Sequence, residues 1–209
     1  MARPVHELPG ARFWDRVTSR AARRAVRRDF LLERMPKNGV CVEVGVFDGV
    51  LSERALALTQ PKKLHLVDPW RTRADGTLFD GPAQDFKSAT EASDSLEQQY
   101  QRVVRLLKAE IDSGQVEIHR MLSHEAAPLF PDSHFDWAYL DASHYYDDVK
   151  LDLEKWFPKI KSGGYITGDD YDRQGFWDHG VTRAVDEFVK KNPVEAVEFR
   201  NHQFVLRKR

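Results

Sequence analysis

Three carboxylates and an imidazole stand where two short β-rich runs end. The segment FDWAYLDASHYYDDVKLDLEKWFPKIKSGGYITGDDY, residues 135–171, reads as strand, helix, glycine turn and strand, with Asp141 closing the first strand and Asp169 and Asp170 closing the second. If the two strands are neighbours, all three carboxylates converge on the edge at which open α/β sheets bind ligands. Confined there unpaired, they would repel one another and shift their pKa values upward, and a divalent cation held by Asp141, Asp169 and Asp170 would relieve that repulsion. An oxygen-only set suits Mg²⁺ or Ca²⁺ and offers zinc no soft ligand. The local alternative is turn chemistry, with Asp169-Asp170 capping the next loop and Asp141 making an Asx-type turn. His144, at the start of the predicted helix, is either a capping residue or an imidazole placed to take a hydroxyl proton, a role open also to Asp141. His179, in QGFWDHG, is a further histidine whose spacing does not lift it above a loop residue.

A second set lies upstream. The run at 40–46 leads into Gly45-Val46-Phe47-Asp48-Gly49 and a helix beginning near Leu51, so two glycines bracket a turn where backbone can approach a ligand closely. The G-x-x-x-G spacing, preceded by Glu43, lacks the G-x-G-x-x-G pattern that receives a pyrophosphate, which disfavours a dinucleotide. The next run, KLHLVD, ends in Asp68, an acidic side chain placed to accept ribose hydroxyls.

The elements that must hold these residues follow from periodicity. Strands are predicted at 40–46, 63–68, 116–121, 135–141 and 163–168, and helices at 51–59, 94–112, 123–129, 146–160 and 180–191. That alternation predicts an α/β fold, a Rossmann-like, mainly parallel sheet with helices on both faces. The last two β-rich runs, 194–200 and 202–207, are joined too tightly for a crossover and predict an antiparallel hairpin. Residues 69–93 have no clear period. Trp70, Phe79 and Phe86 within them suit either a lid over a ligand or an anchored surface excursion. Tyr145, Tyr146, Tyr171, Phe176 and Trp177 flank the acidic set as ring-holding or packing residues.

A chain of 209 residues suits one domain, divided here into an Arg-rich helical segment, 1–36, and a ligand-binding domain, 37–209. Arg12, Arg16, Arg20, Arg23, Arg24, Arg27 and Arg28 recur about once per helical turn, giving a basic face that is either solvated, a peripheral contact for an anionic membrane surface or polyanionic substrate, or a pairing surface for a second copy. A formal net charge of -1 argues against a general nucleic-acid binder. The single cysteine, Cys41, sits in an apolar run, and no stretch approaches the ~18 apolar residues of a spanning helix, so a reducing, cytoplasmic setting is expected.

VCVEVGVFDGVLSE followed by LHLVDPW resembles the first two motifs of class I S-adenosylmethionine-dependent methyltransferases. The resemblance implies that Glu43 contacts the methionine end, that Gly45 and Gly49 line its passage, and that Asp68 holds the ribose. RMLSHEAA, 120–127, falls where the family places residues beside the adenine, so Ser123 and His124 join the cofactor set; Ser123 reads equally as a helix N-cap. Asp141 belongs to both the cofactor and the acidic sets. Asp141 to His144, Asp152, the GG turn, GDDY and GVTRAVDEFV are similar to metal-dependent O-methyltransferases acting on sugar, antibiotic or catechol-type hydroxyls, the macrocin O-methyltransferase-like group. That implies methyl transfer to a hydroxylated small molecule, assisted by Mg²⁺ or another divalent cation. A cephalosporin-hydroxylase-like enzyme or a non-catalytic cofactor-binding module would carry much of the same pattern.

Overall fold

The computed structural model describes residues 27–72, 89–175 and 177–209. Seven strands form one sheet: β1 (Val40–Val44), β2 (Lys63–Val67), β3 (Val116–His119), β4 (Phe135–Leu140), β5 (Ile160–Gly168), β6 (Val194–Arg200) and β7 (Gln203–Lys208), in the order β3-β2-β1-β4-β5-β7-β6. β1 pairs in parallel with β2 and with β4, β2 with β3, and β4 with β5, while β7 runs antiparallel to both β5 and β6. The winding reverses between β1 and β4, which leaves the carboxyl ends of those strands facing an uncovered crevice.

The central strands are apolar on both faces because both are covered. Val42, Val44, Ala138 and Leu140 face a core completed by α6 (Tyr146–Trp156) and α7 (Gly180–Lys191). Cys41, Trp137 and Tyr139 alternate with them and face a second core, built with α1 (Asp29–Arg34), α2 (Val50–Thr59) and α3 (Ala89–Leu106). Leu31 and Leu32 of α1 are fully buried in that second core. Arg12 to Arg24, Phe79, Phe86 and Phe176 lie outside the described residues. Among the described residues no helix is long and apolar enough to cross a membrane.

Most predicted boundaries shift by a residue or two, and three differences bear on the fold. The predicted 94–112 helix starts earlier and breaks at Leu107 into α3 and a short α4 (Lys108–Asp112). The helix predicted to reach residue 160 ends at Trp156, followed by a 3-10 turn at Phe157–Lys159 that contains Pro158. β5 then begins at Ile160, so Gly163-Gly164 lies inside the strand, beside a register shift between Phe135 and Trp137 of β4. A Cβ at Gly164 would stand 2.7 Å from the Asp136 carbonyl oxygen, so the glycines admit an irregular strand where a separating turn was expected. The final hairpin is as expected. Asn201 and His202, with φ of 53° and 63°, form a two-residue turn of the type that matches strand twist.

Leu153 of α6 is fully buried against the sheet. Leu153→Ala is expected to destabilise the chain by about 2–5 kcal/mol with an unchanged denaturant m-value, measured by urea unfolding.

Candidate active site

Gly45 leaves β1 with φ 87°, and a Cβ there would stand 2.1 Å from the carbonyl oxygen of Asp141, so only glycine lets the end of β4 come this close. Gly49, φ 76°, precedes the first residue of α2. Asp68, just beyond β2, latches the turn: its Oδ2 accepts the N–H of Val46 (2.9 Å) and of Phe47 (3.0 Å), and its Oδ1 accepts the N–H of Trp70 (2.7 Å). Trp70 is buried and donates Nε1–H to the Phe47 carbonyl at 2.9 Å, so it anchors the chain just beyond β2 in the core.

Two clefts, of about 190 and 240 Å³, meet at this turn and share Gly45, Phe47 and Asp141. The first is lined by Asp68, Leu122, Ser123, His124 and Asp152 among others, the second by Arg28, Glu43, Asp48 and His144. Ser123 opens the short helix α5 (Ser123–Ala126), whose N-cap is Leu122, one residue earlier than the cap reading placed it. Its hydroxyl instead donates to Asp152 at 2.5 Å and accepts Trp156 Nε1–H at 2.8 Å, tying α5 to α6. Burial raises the Asp152 pKa to about 7 against the opposing Ser123 bond. Glu43 is buried, accepts Ser52 Oγ–H at 2.6 Å, and is pushed by burial to about 8 against the pull of Ser52 and Arg28.

Asp141, Asp169 and Asp170 do converge, as the neighbouring strands β4 and β5 require, but they are not unpaired. Arg28 bridges Asp141 (2.7 Å) and Asp169, Arg27 reaches Asp169 at 3.1 Å, and Arg173 reaches Asp170 at 2.6 Å. Gln203 also donates to Asp169 and accepts Tyr139 O–H at 2.6 Å. His144 Nε2 lies 2.7 Å from Asp170 and 3.7 Å from Asp141. Burial lowers the His144 pKa, yet these two carboxylates outweigh it and raise it to about 10, so the ring is protonated at neutral pH. Asp170 is pushed up by burial, but His144 and Arg173 hold it well below the usual carboxylate range. Asp141 is raised, burial outweighing the opposing charge of Arg28.

A protein-family model described as a methyltransferase domain matches residues 42–171, more than half of the chain. The chain belongs to this methyltransferase family. Among curated proteins no sequence match was found. Similar solved structures share the fold at low identity. The O-methyltransferase NovP is 21% identical over 90% of this chain and 79% of its own, with a TM-score of 0.57. The O-methyltransferase TomG from Streptomyces achromogenes, solved with S-adenosylmethionine, is 13% identical over 97% and 89%, with a TM-score of 0.61. A methyltransferase from Geobacter sulfurreducens is 13% identical over 99% and 91%, with a TM-score of 0.59.

In this methyltransferase six of the predicted cofactor residues, Glu43, Gly45, Asp68, Ser123, His124 and Asp141, line the two clefts at the β1–β4 crevice, while Gly49 precedes α2 and faces the side chains of Val103 and Leu106. The donor atoms that gather within 4.8 Å are those of Asp141, His144 and Asp170, while the oxygens of Asp169 are taken up by Arg27, Arg28 and Gln203. His179 is an exposed residue preceding α7. Tyr146 and Tyr171 are tied by their hydroxyls to Glu187 and Asp186 of α7, Trp177 packs its ring 4.7 Å from His144, and Tyr145 is exposed. Sequence reasoning missed Arg27, Arg28, Arg173 and Gln203. Only the Arg-rich run signalled the first two, and it pointed to a surface.

Glu43 carries a pH-dependent consequence. Its folded-state pKa of about 8 lies well above the ordinary glutamate value, so its contribution to stability is fully present in acid and is lost as pH rises towards 8. Glu43→Gln is expected to gain melting temperature relative to wild type on going from pH 5.5 to 8.5; an identical difference at both pH values would contradict a buried, proton-retaining Glu43.

Proposed function

We propose that this methyltransferase transfers the methyl group of S-adenosylmethionine to a hydroxyl oxygen of a small molecule such as a sugar, natural product or catechol-like acceptor. The observation that carries the reading is the position of Asp141, which lines both clefts and also belongs to the donor cluster with His144 and Asp170. In this reading the adenosine end of the donor lies in the cleft of Asp68, Ser123 and His124, and its methionine end lies beside Glu43 across Gly45. The acceptor oxygen attacks the methyl carbon, an O–C bond forms as the C–S bond breaks, and S-adenosylhomocysteine leaves. The acceptor proton passes to Asp141, whose raised pKa makes it the stronger carboxylate base, while protonated His144 holds Asp170 in place. Rate enhancement then comes mostly from positioning.

The donor cluster fits a divalent cation, since two carboxylates and an imidazole lie close enough to share one ion. Asp141, Asp170 and, once it has lost its proton, His144 would hold Mg²⁺ or another divalent cation, which would supply positive charge to the developing oxyanion. Arg28 would have to release Asp141 for it. The similar structures NovP and TomG are O-methyltransferases, in line with a hydroxyl acceptor. A net charge of -1 supports a small-molecule rather than a nucleic-acid partner, and the buried free thiol of Cys41 suits a reducing, cytoplasmic setting. A second reading, a cofactor-binding module without turnover, is favoured by the arginines, which balance the acidic set without any ion.

Titration with S-adenosylhomocysteine is expected to raise the melting temperature in wild type, with a further increment from Mg²⁺ that is absent in Asp170→Asn. No response to saturating product would remove the cofactor assignment. With a panel of hydroxylated acceptors, a product heavier by one methylene supports O-methylation, and one heavier by one oxygen would assign a hydroxylase instead. Asp141→Asn is expected to lose at least about a hundredfold in turnover, the scale of a lost general base; donor binding without turnover on any acceptor favours the binding module.

A further inference from the structure

A second group of metal-ligating side chains lies away from the crevice, on the edge of the sheet. β3 is the terminal strand, and its register against β2 sets His65 opposite Glu117 and Val67 opposite His119. Side chains two residues apart on a strand share a face, so His65, Glu117 and His119 project together. His65 Nδ1 and His119 Nε2 are 3.0 Å apart, and Glu117 oxygens lie 4.0 Å from the first and 3.7 Å from the second. Donors sharing one tetrahedral ion at the usual Zn–N and Zn–O lengths stand about 3.3 Å apart, so the two nitrogens need move little and the carboxylate must close by a few tenths of an ångström. Glu117 can do so, being half exposed, and the same exposure gives an ion its route in.

From this geometry we infer that His65, His119 and Glu117 form a transition-metal site, best suited to Zn²⁺, that staples the edge strand β3 to β2. Two imidazoles and one carboxylate are a nitrogen-rich set, which Zn²⁺ prefers and Mg²⁺ does not. The rings of Phe130 and Phe135 stand edge-on to His65 at 4.9 and 5.7 Å and shield one side of the site from water. Lys63 competes for Glu117 at 2.7 Å but also donates to the Gly114 carbonyl at 2.9 Å, so it keeps a partner when the carboxylate turns to the ion. The staple reaches the cofactor crevice through backbone, because the His119 carbonyl accepts the N–H of Asp68 at 3.3 Å. The inference is independent of the methyl-transfer reading.

The test is titration of the metal-free full chain with Co²⁺, read by the visible absorption of tetrahedral cobalt, then displacement by Zn²⁺ followed through melting temperature. Wild type is expected to bind one tetrahedral Co²⁺ and to gain stability with rising Zn²⁺. His119→Gln is expected to lose the tetrahedral signal, Glu117→Gln at its half-exposed position to weaken binding at least tenfold, and Asp170→Asn, in the other donor cluster, to retain it. A signal unchanged in Glu117→Gln, or lost in Asp170→Asn and kept in His119→Gln, would overturn the site.

Discussion

β1 lies between two parallel partners, and the chain winds outward from it in opposite directions, so no crossover helix can cover the point where β1 and β4 end. Every part of the active-site geometry depends on that constraint. It brings Gly45 so close to the Asp141 carbonyl that a side chain has no room, and it leaves the turn from Val46 to Gly49 hanging over the crevice. Asp68, from the strand on the other side, then satisfies the N–H groups that such a turn exposes. The glycines and the aspartate are two halves of one solution, because a tight turn with orphaned donors needs an acceptor beside it.

Electrostatics dominate the other half of the site. Carboxylates brought together at a strand edge must be neutralised by protons, by a metal or by cations of the chain. Here three guanidinium groups from two places in the sequence meet them: Arg27 and Arg28 from before α1, and Arg173 from the loop after β5. Removing one partner from a buried pair of this kind leaves an uncompensated charge, so Arg27 and Arg28 help hold residues 27–34 against the sheet alongside the buried Leu31 and Leu32. His144 is a cation because Asp141 and Asp170 flank it, and of the three carboxylates Asp141 is the one that lines both clefts.

The support behind these groups is apolar. Gly180, at the start of α7, admits the His144 carbonyl so closely that a Cβ would stand 2.4 Å from it, and Trp177 packs its ring on the imidazole. The aromatic residues around the acidic cluster largely brace α7 and the loop that carries His144. Their hydroxyls are spent on Asp186 and Glu187 rather than pointed at the crevice.

The alternation of apolar runs and amphipathic stretches, the Gly45–Gly49 turn, Asp68 at a strand end and the GDDY run were enough for the α/β class, the hairpin and the residues around the crevice, because each is a local pattern with a local cause. Strand boundaries near Gly163-Gly164 were not legible, since a bulge depends on the partner strand as much as on the glycines. The partners of the carboxylates were not legible either. Arg28 meets Asp169 across 141 residues of chain, and nothing in the spacing of arginines along a helix face says which carboxylate will lie beneath it. His65, Glu117 and His119 likewise become neighbours only through the register of β2 on β3. Local sequence thus determined the kinds of element and the residues at their ends, where backbone geometry is decided within a few residues. Tertiary structure alone decided which charges pair and which donors could share an ion, because those energies depend on distances that close only when the sheet forms.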